Sequence, residues 1–331
     1  MPTEAARRGV WLRLTGLALM VFVAGLIYAY FLSIPAALAV PLAFAFALEA
    51  FFFVAVVWEP PRRLWQRCFS PPALAALAAA SGILPYVISA VPAGVFRWDG
   101  LASVAALAAL VSFWFVLLPK NPAINLLFTA VVAAGLLAEV FEPLYGQPAP
   151  RLKLGILGDM MWTRLAMASV IGVNRFEIKG LGFLPSRDEW AAGLKNFLLF
   201  LPAGLLLGWL LDFARFNPKP FAWWQILGLA LATFLGMLWV VALREEFFFR
   251  GLLLEWISGW TRSEAAGLVV SSVLFGLVHL PFRGFPNWEF ALIATVAGIF
   301  YGRAYLNARS IRAAMVTHAL VNTTWRVFFP G

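Results

Sequence analysis

Runs of apolar residues, separated by short polar turns, recur along almost the whole chain. Each run approaches the ~20 residues that a helix needs to cross the hydrocarbon core of a bilayer. Helices are expected because lipid offers no partner for an unpaired backbone group. The pattern predicts an all-α polytopic membrane protein with about ten transmembrane helices, at residues 11–32, 35–58, 73–96, 101–118, 123–146, 190–213, 221–257, 263–280, 287–306 and 310–328.

Composition and charge agree with a membrane protein. Of 331 residues, 63% are hydrophobic and 12% charged, whereas soluble domains carry roughly 25% charged residues. The net charge of +9 lies in short turns and at the N-terminus, at residues that include Arg7, Arg8, Arg62, Arg63, Arg67, Lys120, Arg215 and Lys219. This distribution is typical of cytoplasmic loops and forms no continuous stripe for nucleic acid. We expect an integral protein of a bacterial cytoplasmic membrane, in contact with the lipid bilayer, with its N-terminus in the cytoplasm.

The chain divides into two hydrophobic halves. Charged residues and glycines mix with apolar ones between residues 147 and 190, where residues 159–176 form either a short span or an interfacial helix. We predict N-terminal transmembrane helices of unknown role at 1–150, an interfacial connector at 151–189 and a functional core at 190–331. The lone cysteine, Cys68, excludes an internal disulfide and a multi-cysteine metal site.

Carboxylates at membrane depth are the candidates for chemistry, because each ionisable group there costs roughly 2.5–3.5 kcal/mol. In the N-terminal half these are Glu49, Glu139 and Glu142, for which pairing with another helix or snorkelling to the interface is the preferred interpretation. In the C-terminal half, Glu245 and Glu246 follow directly on an apolar run. We therefore propose a functional role for Glu245 and Glu246.

The spacing around Glu245 and Glu246 predicts two different roles. Glu246 and Arg250 are four residues apart, so they share a helix face and can pair. Glu245 points about 100° away and is left without a local partner among three phenylalanines, 247–249. Such a carboxylate is suited to accept a proton as a general base. The plain alternative is a charge cluster that caps a helix at the membrane surface.

The long run 221–257 is expected to extend beyond the membrane or to bend after Arg250.

Three further polar residues lie in later apolar segments. His279 ends one segment, and His318 and Asn322 are four residues apart and share a face of the last. A single buried histidine is more often a hydrogen-bonding partner between helices than a catalyst. Polar residues on several apolar helices favour a common site, since each is otherwise costly.

These residues, in this order, resemble the signature of the CPBP family of intramembrane proteases, which includes type II CaaX-processing and bacteriocin-processing enzymes. The matching motifs are Glu245-Glu246-x-x-x-Arg250, Phe275-x-x-x-His279 and His318-x-x-x-Asn322. The resemblance covers about residues 180–331 and implies a CPBP-type helical core with peptide hydrolase activity. The first ~150 residues lie outside it and extend the usual eight-helix architecture.

The resemblance also implies a mechanism. Glu245 activates water, His279 orients it, and His318 with Asn322 stabilises the oxyanion, where one donor is worth about 3–4 kcal/mol. Glu246 and Arg250 hold the helix in place. The expected substrate is a membrane-associated or lipidated peptide or protein.

Two alternatives stay open from the sequence. The family was once described as metalloproteases, and Glu245, His279 and His318 form a possible His₂Glu zinc set; the preferred interpretation needs no cofactor. A non-catalytic scaffold or a proton-coupled transporter would also use buried Glu and His residues. A transporter more often shows internal repeats with broken helices, which the sequence does not display.

Overall fold

The structure is a computed structural model that describes residues 4–148, 152–218 and 220–329, the first four of them by backbone alone. Every regular element within these ranges is a helix, and no strand occurs there. The all-α prediction is therefore confirmed. Lys219, the side chain of Arg7 and the predicted domain boundary at 150–151 lie outside what is described.

Seven helices are long and apolar enough to cross a membrane. They are Arg8–Phe31, Ala36–Val57, Pro71–Ala90, Trp98–Leu117, Gly155–Val173, Arg187–Leu210 and Trp223–Thr261. Pro122–Leu137 and Glu264–Leu277 are shorter apolar helices. The chain is an integral membrane protein, and the count of about ten spans remains a prediction. For the connector, the sequence left open a short span or an interfacial helix at residues 159–176. The helix Gly155–Val173 is long and apolar enough to cross a membrane, which favours the short span.

The chain forms two compact units, Met1–Glu177 and Ile178–Gly331. The division falls inside the predicted connector. The helices of the N-terminal unit are α1 (Glu4–Phe31), α2 (Ala36–Val57), α3 (Glu59–Cys68), α4 (Pro71–Ala90), α5 (Trp98–Leu117), α6 (Pro122–Leu137), α7 (Phe141–Tyr145) and α8 (Gly155–Met167), which continues as a π-helix over Ala168–Val173.

Two segments of the N-terminal unit differ from the sequence prediction, which places a short turn at residues 59–61 and one continuous segment at 123–146. The Glu59-Pro60-Pro61 segment begins the helix α3, because proline is well tolerated in the first helical turn, where its missing N–H has no partner anyway. The predicted segment 123–146 is two helices, α6 and α7. Glu139, between them, has a left-handed backbone (φ 49°), which a continuing right-handed helix does not allow.

The buried carboxylate of the N-terminal unit is paired, as expected. Both oxygens of Glu49 accept hydrogen bonds from Arg164, at 2.8 and 2.9 Å, and Arg164 also donates to Ser81 at 2.8 Å. Glu142 accepts from Lys153 at 3.4 Å, and Glu139 is exposed. These contacts confirm the prediction that Glu49 is neutralised by another helix.

The C-terminal unit contains the residues proposed for chemistry. Its helices are α9 (Arg187–Leu210), α10 (Trp223–Gly236), α11 (Leu243–Glu246), α12 (Glu255–Thr261), α13 (Glu264–Leu277), α14 (Trp288–Ala308) and α15 (Ile311–Phe328). Ser186 and Glu189 form a capping box at the start of α9. Helix α15 packs against α9 and α14, and α13 packs against α14.

The run predicted at 221–257 is helical without interruption from Trp223 to Thr261. Two stretches of it, Met237–Ala242 and Phe247–Leu254, are π-helical. A π turn contains one residue more than an α turn, and such turns occur frequently at functional sites. The helix ends at Arg262, which adopts a left-handed backbone, so the run extends well past Arg250.

Candidate active site

Glu245 and Glu246 occupy the single α-helical turn, α11, between the two π-helical stretches. Their side chains have different surroundings: that of Glu246 is fully buried, and that of Glu245 is 21% exposed. Adjacent residues on a helix are separated by about 100°, so one carboxylate enters the packed interior and the other stays partly accessible. The two carboxylates therefore point to different sides of the helix, as the sequence predicted.

Arg250 binds Glu246 through the predicted four-residue spacing. Arg250 Nη1 lies 3.2 Å from Glu246 Oε1, and both side chains are fully buried. The other amino group, Nη2, donates to the carbonyl oxygen of Gly298 on α14 at 2.9 Å. The guanidinium carbon lies 4.7 Å from the ring centre of Phe275 and 5.3 Å from that of Tyr301. The ion pair thus joins the helix that carries Glu246 and Arg250 to α14 in apolar surroundings.

His318 extends this buried network to α15. Its Nδ1 is 2.6 Å from Glu246 Oε1, the oxygen that also accepts from Arg250. A carboxylate oxygen only accepts, so Nδ1 carries the proton. The opposite ring nitrogen, Nε2, faces Glu245 Oε2 at 3.8 Å. His318 is therefore the residue that connects the two carboxylates.

Aromatic rings fix the orientation of the His318 imidazole. Tyr301 stacks on it, with ring centres 4.5 Å apart and planes 16° apart. Phe275 approaches it edge-on at 5.7 Å. A ring held on two sides and bonded at Nδ1 cannot rotate freely, so the direction of Nε2 is fixed.

His279 lies just after the end of α13, beside the same phenylalanine. Its Nδ1 is 2.6 Å from the carbonyl oxygen of Phe275, which only accepts, so Nδ1 carries the proton and Nε2 is left as an acceptor. The His279 ring packs on Phe275 and Phe290, with centres 4.8 and 4.7 Å apart. Glu245 interacts electrostatically with His279. Phe275 thus contacts both imidazoles.

Asn322, like His279, makes a side-chain hydrogen bond with a residue outside the proposed set. Its Nδ2 donates to the thioether sulfur of Met237 at 3.6 Å. It lies one turn after His318 on α15, so the two side chains share a face. A thioether is a weak acceptor, and this contact holds the amide loosely.

One expectation about Glu245 is wrong. Its carboxylate has a local partner, since Arg244 Nη2 lies 3.7 Å from Glu245 Oε1. The long, flexible side chain of Arg244 folds toward the adjacent residue, Glu245. Helical spacing alone does not predict a contact between adjacent residues. The pair is partly exposed, with 36% and 21% of the two side chains accessible, so it contributes little to stability.

Sequence reasoning missed the residues that support the site. Tyr301 and Met237 belong to no motif recognised in the sequence, and Gly298 belongs only to a small-xxx-small spacing with Gly302. Tyr301, Met237 and Gly298 contact His318, Asn322 and Arg250 respectively. The available signal was weak: the Gly298–Gly302 spacing indicates close helix approach, and Tyr301 is a tyrosine within an apolar helix. Neither observation identifies a partner.

A side chain at Gly298 is expected to disturb the site. A Cβ built there would lie 3.2 Å from Arg250 Nη2 and from the Cα of Ser272. Gly298→Val should therefore lower the free energy of unfolding by roughly 1–3 kcal/mol through overpacking, measured by denaturant titration in micelles. Gly228→Val is the control, because no atom lies within 4 Å of a Cβ at that position. Equal stability of both variants would contradict the close packing at Arg250.

The arrangement does not gather the zinc ligands considered above. No group of three or more His, Cys, Asp or Glu residues in the described ranges could hold a metal ion. Glu245, His279 and His318 therefore do not fit a preformed His₂Glu site, which requires ligand distances near 2 Å. The chemistry proposed below uses no metal.

Comparison with known proteins gives one match. The family model described as type II CAAX prenyl endopeptidase, Rce1-like, matches residues 227–324. No curated protein and no solved structure matches the chain. The matched range contains all six proposed site residues and agrees with the resemblance stated from the motifs. Residues 227–324 are thus similar to the type II CAAX prenyl endopeptidase, Rce1-like domain, in agreement with the CPBP-type helical core that the motifs imply.

Proposed function

We propose that the chain is a glutamic-type intramembrane endopeptidase that hydrolyses a peptide bond of a membrane-associated or lipidated protein, with Glu245 as the general base. One observation carries the proposal. The partly accessible carboxylate of Glu245 lies 3.8 Å from His318 Nε2, and the buried Arg250–Glu246–His318 chain holds that histidine in place. A base that substrate can reach thus stands beside an oriented imidazole.

In the first step, Glu245 removes a proton from a water molecule as the water oxygen bonds to the carbonyl carbon of the substrate. His279 helps to hold that water, because its unprotonated Nε2 accepts a hydrogen bond. A positioned base of this kind contributes about 10²–10⁴-fold to the rate. Apolar rings around the imidazoles exclude bulk water and strengthen these polar contacts.

The carbonyl oxygen becomes an oxyanion that needs donors. An imidazolium carries a proton on each ring nitrogen, so His318 in that form donates from Nε2 to the oxyanion while Nδ1 donates to Glu246. Asn322 shares the face of His318. Its Nδ2 gives up the weak hydrogen bond to the Met237 sulfur and donates to the oxyanion instead. The carbon–nitrogen bond then breaks, and the proton held by Glu245 moves to the leaving amine. The products are a carboxylic acid and an amine.

Asn322→Ala is expected to reduce kcat by about 10²–10³-fold with little change in KM, because the lost donor acts on the transition state. Thr324→Ala is a suitable control on the same helix, since its hydroxyl bonds only the local carbonyl of Leu320. Steady-state cleavage rates of both variants test this. A larger effect on KM than on kcat would assign Asn322 to substrate binding instead.

The reaction is proposed to need no metal. Dialysis of the purified protein against a strong chelator should leave the cleavage rate unchanged, because in the proposed mechanism the carboxylate of Glu245 activates the water without a metal ion. Loss of activity that zinc restores would reverse this part of the proposal.

The substrate is tested with the full chain reconstituted in vesicles. The family name suggests a farnesylated peptide that ends in a CAAX sequence, and its products are identified by mass spectrometry. The same peptide without the prenyl group distinguishes lipid-dependent recognition from general peptide hydrolysis. Proton-driven uptake without cleavage would support the transporter alternative.

A further inference from the structure

The N-terminal unit contains a half-enclosed cavity of about 390 Å³. Leu74, Leu77 and Leu84 line it along α4, and side chains of α2, α3 and the π-helical stretch Ala168–Val173 complete its walls. At 1.5 Å per residue, Leu74 and Leu84 are about 15 Å apart along the helix. This is half of the ~30 Å hydrocarbon core, so the cavity has the depth of one leaflet.

The inner end of the cavity offers no unpaired charge. Arg164 lines it, but its guanidinium is bonded to both oxygens of Glu49 and to Ser81. The ring of Phe52 lies 5.1 Å from the guanidinium carbon. An inner end whose polar groups satisfy one another accepts an apolar chain better than a polar ligand.

The outer end of the cavity is formed by α3, a short helix with one basic and one apolar side. Gln66 fastens it to the π-helical stretch by donating to the carbonyl oxygens of Ile171 and Gly172, at 2.7 and 3.3 Å. Arg62 fastens it to the end of α2 by donating to Val56 and Val57, at 3.0 and 2.8 Å. Trp65 also lines this end, and tryptophan is enriched at the membrane–water interface.

Positive charge gathers around this opening. Arg67 and Arg175 are exposed and form no ion pair within the described part of the chain, whereas Arg63 is paired with Glu59. Arg175 donates to the backbone oxygen of Gln66 at 3.2 Å, which places it beside α3. Guanidinium groups match the geometry of phosphate oxygens. The opening therefore suits an anionic headgroup above an apolar chain.

We propose that this cavity holds one acyl chain of an anionic phospholipid, whose phosphate is bound by Arg62, Arg67 and Arg175. Pockets of about 300–1,000 Å³ with apolar walls and a few polar groups are typical small-molecule sites. A zwitterionic lipid such as phosphatidylcholine carries its own ammonium group beside the phosphate and therefore supplies no net negative charge to the arginines. The site lies wholly within the N-terminal unit and does not depend on the proposed peptidase.

The cavity is tested by filling it. A Cβ at Gly172 meets no atom within 4 Å, so Gly172→Leu places a side chain in the open space without backbone strain. Gly16→Leu, in α1, is the control with equally open surroundings. Native mass spectrometry of protein from vesicles with equal phosphatidylglycerol and phosphatidylcholine should show one retained phosphatidylglycerol in the wild type and in Gly16→Leu. Gly172→Leu should lose the bound phosphatidylglycerol. Ala78→Phe, at a second lining position, is an independent variant in case Gly172→Leu misfolds.

The headgroup is tested by removing charge. Arg67→Gln and Arg175→Gln should each lower the preference for phosphatidylglycerol over phosphatidylcholine by about fivefold. Lys120→Gln, an exposed cation outside the cavity lining, should leave it unchanged. Retention that survives cavity filling would mean surface-bound lipid only and would overturn the proposal. Equal retention of both lipids, or displacement by a farnesylated peptide at equimolar concentration, would also overturn it.

Discussion

Replacing Glu245 by glutamine is expected to lower the rate of peptide cleavage by about 10²–10⁴-fold. Glutamine keeps the size of the side chain but cannot accept the proton of the attacking water. The fold should tolerate the change, because the carboxylate is partly exposed and the nearest side-chain nitrogens of Arg244 and His318 lie 3.7 and 3.8 Å away. The measurement is kcat/KM for a farnesylated CAAX peptide, with thermal unfolding as a check on folding.

Glu264→Gln is the matched control for this experiment. Glu264 also pairs with an arginine, Arg309, at 2.7 Å, but it is exposed at the start of α13. The same chemical change there should leave kcat/KM within about twofold of the wild type, as is usual for exposed ion pairs. Cleavage by Glu245→Gln at the control rate would remove the proposed base and, with it, the mechanism.

Arg250→Met is expected to lower the free energy of unfolding by about 3–5 kcal/mol. The substitution leaves the fully buried carboxylate of Glu246 without its cationic partner and removes the donor to Gly298. The carboxylate that holds His318 then has one partner fewer to fix its own position. Unfolding by denaturant in micelles measures the stability, and cleavage should fall in parallel.

A double-mutant cycle measures the coupling energy between Glu246 and Arg250. Glu246→Gln combined with Arg250→Met should cost less than the sum of the two single changes, by about 0.5–3 kcal/mol, because the double variant no longer buries a lone charge. Arg309→Met, in an exposed ion pair, should change stability little. Additive effects of the two buried substitutions would show that the ion pair is not a coupled unit.

The sequence predicted the Glu246–Arg250 pair because helical spacing is a local property. Two residues four apart meet on any helix, whatever lies around them. The same reasoning placed Glu245 on a different side of the helix. It did not predict the contact with Arg244, since a flexible side chain can bend back to its neighbour.

The hydrogen bond between His318 and Glu246 could not be predicted in the same way. The two residues belong to α15 and α11 and are 72 positions apart. Only the packing of α15 brings them together, and only Tyr301 and Phe275 set the plane of the ring. The motifs indicated that these residues act together but not which atoms meet.

Apolar periodicity located most helices to within a few residues, and it was weakest at turns. The sequence predicts a turn at Pro60 and Pro61, whereas in the structure these prolines lie in the first turn of α3. Proline fits both a turn and the first turn of a helix. Helix α3 is held in place by hydrogen bonds from Gln66 and Arg62 to other segments, which the sequence does not reveal. The π-helical stretches around Glu245 had no sequence signal either, because their hydrogen-bond register depends on packing.

By itself, the sequence determined that this protein is helical and embedded in a membrane, and which ionisable residues are candidates for chemistry. These properties follow from the energetics of transferring each residue into lipid and from local helical spacing. The tertiary structure decided that Glu246 is enclosed by Arg250 and His318 while Glu245 stays accessible. It also decided that an apolar cavity opens beside basic α3. Both depend on contacts between distant segments, whose geometry is fixed only when the helices pack.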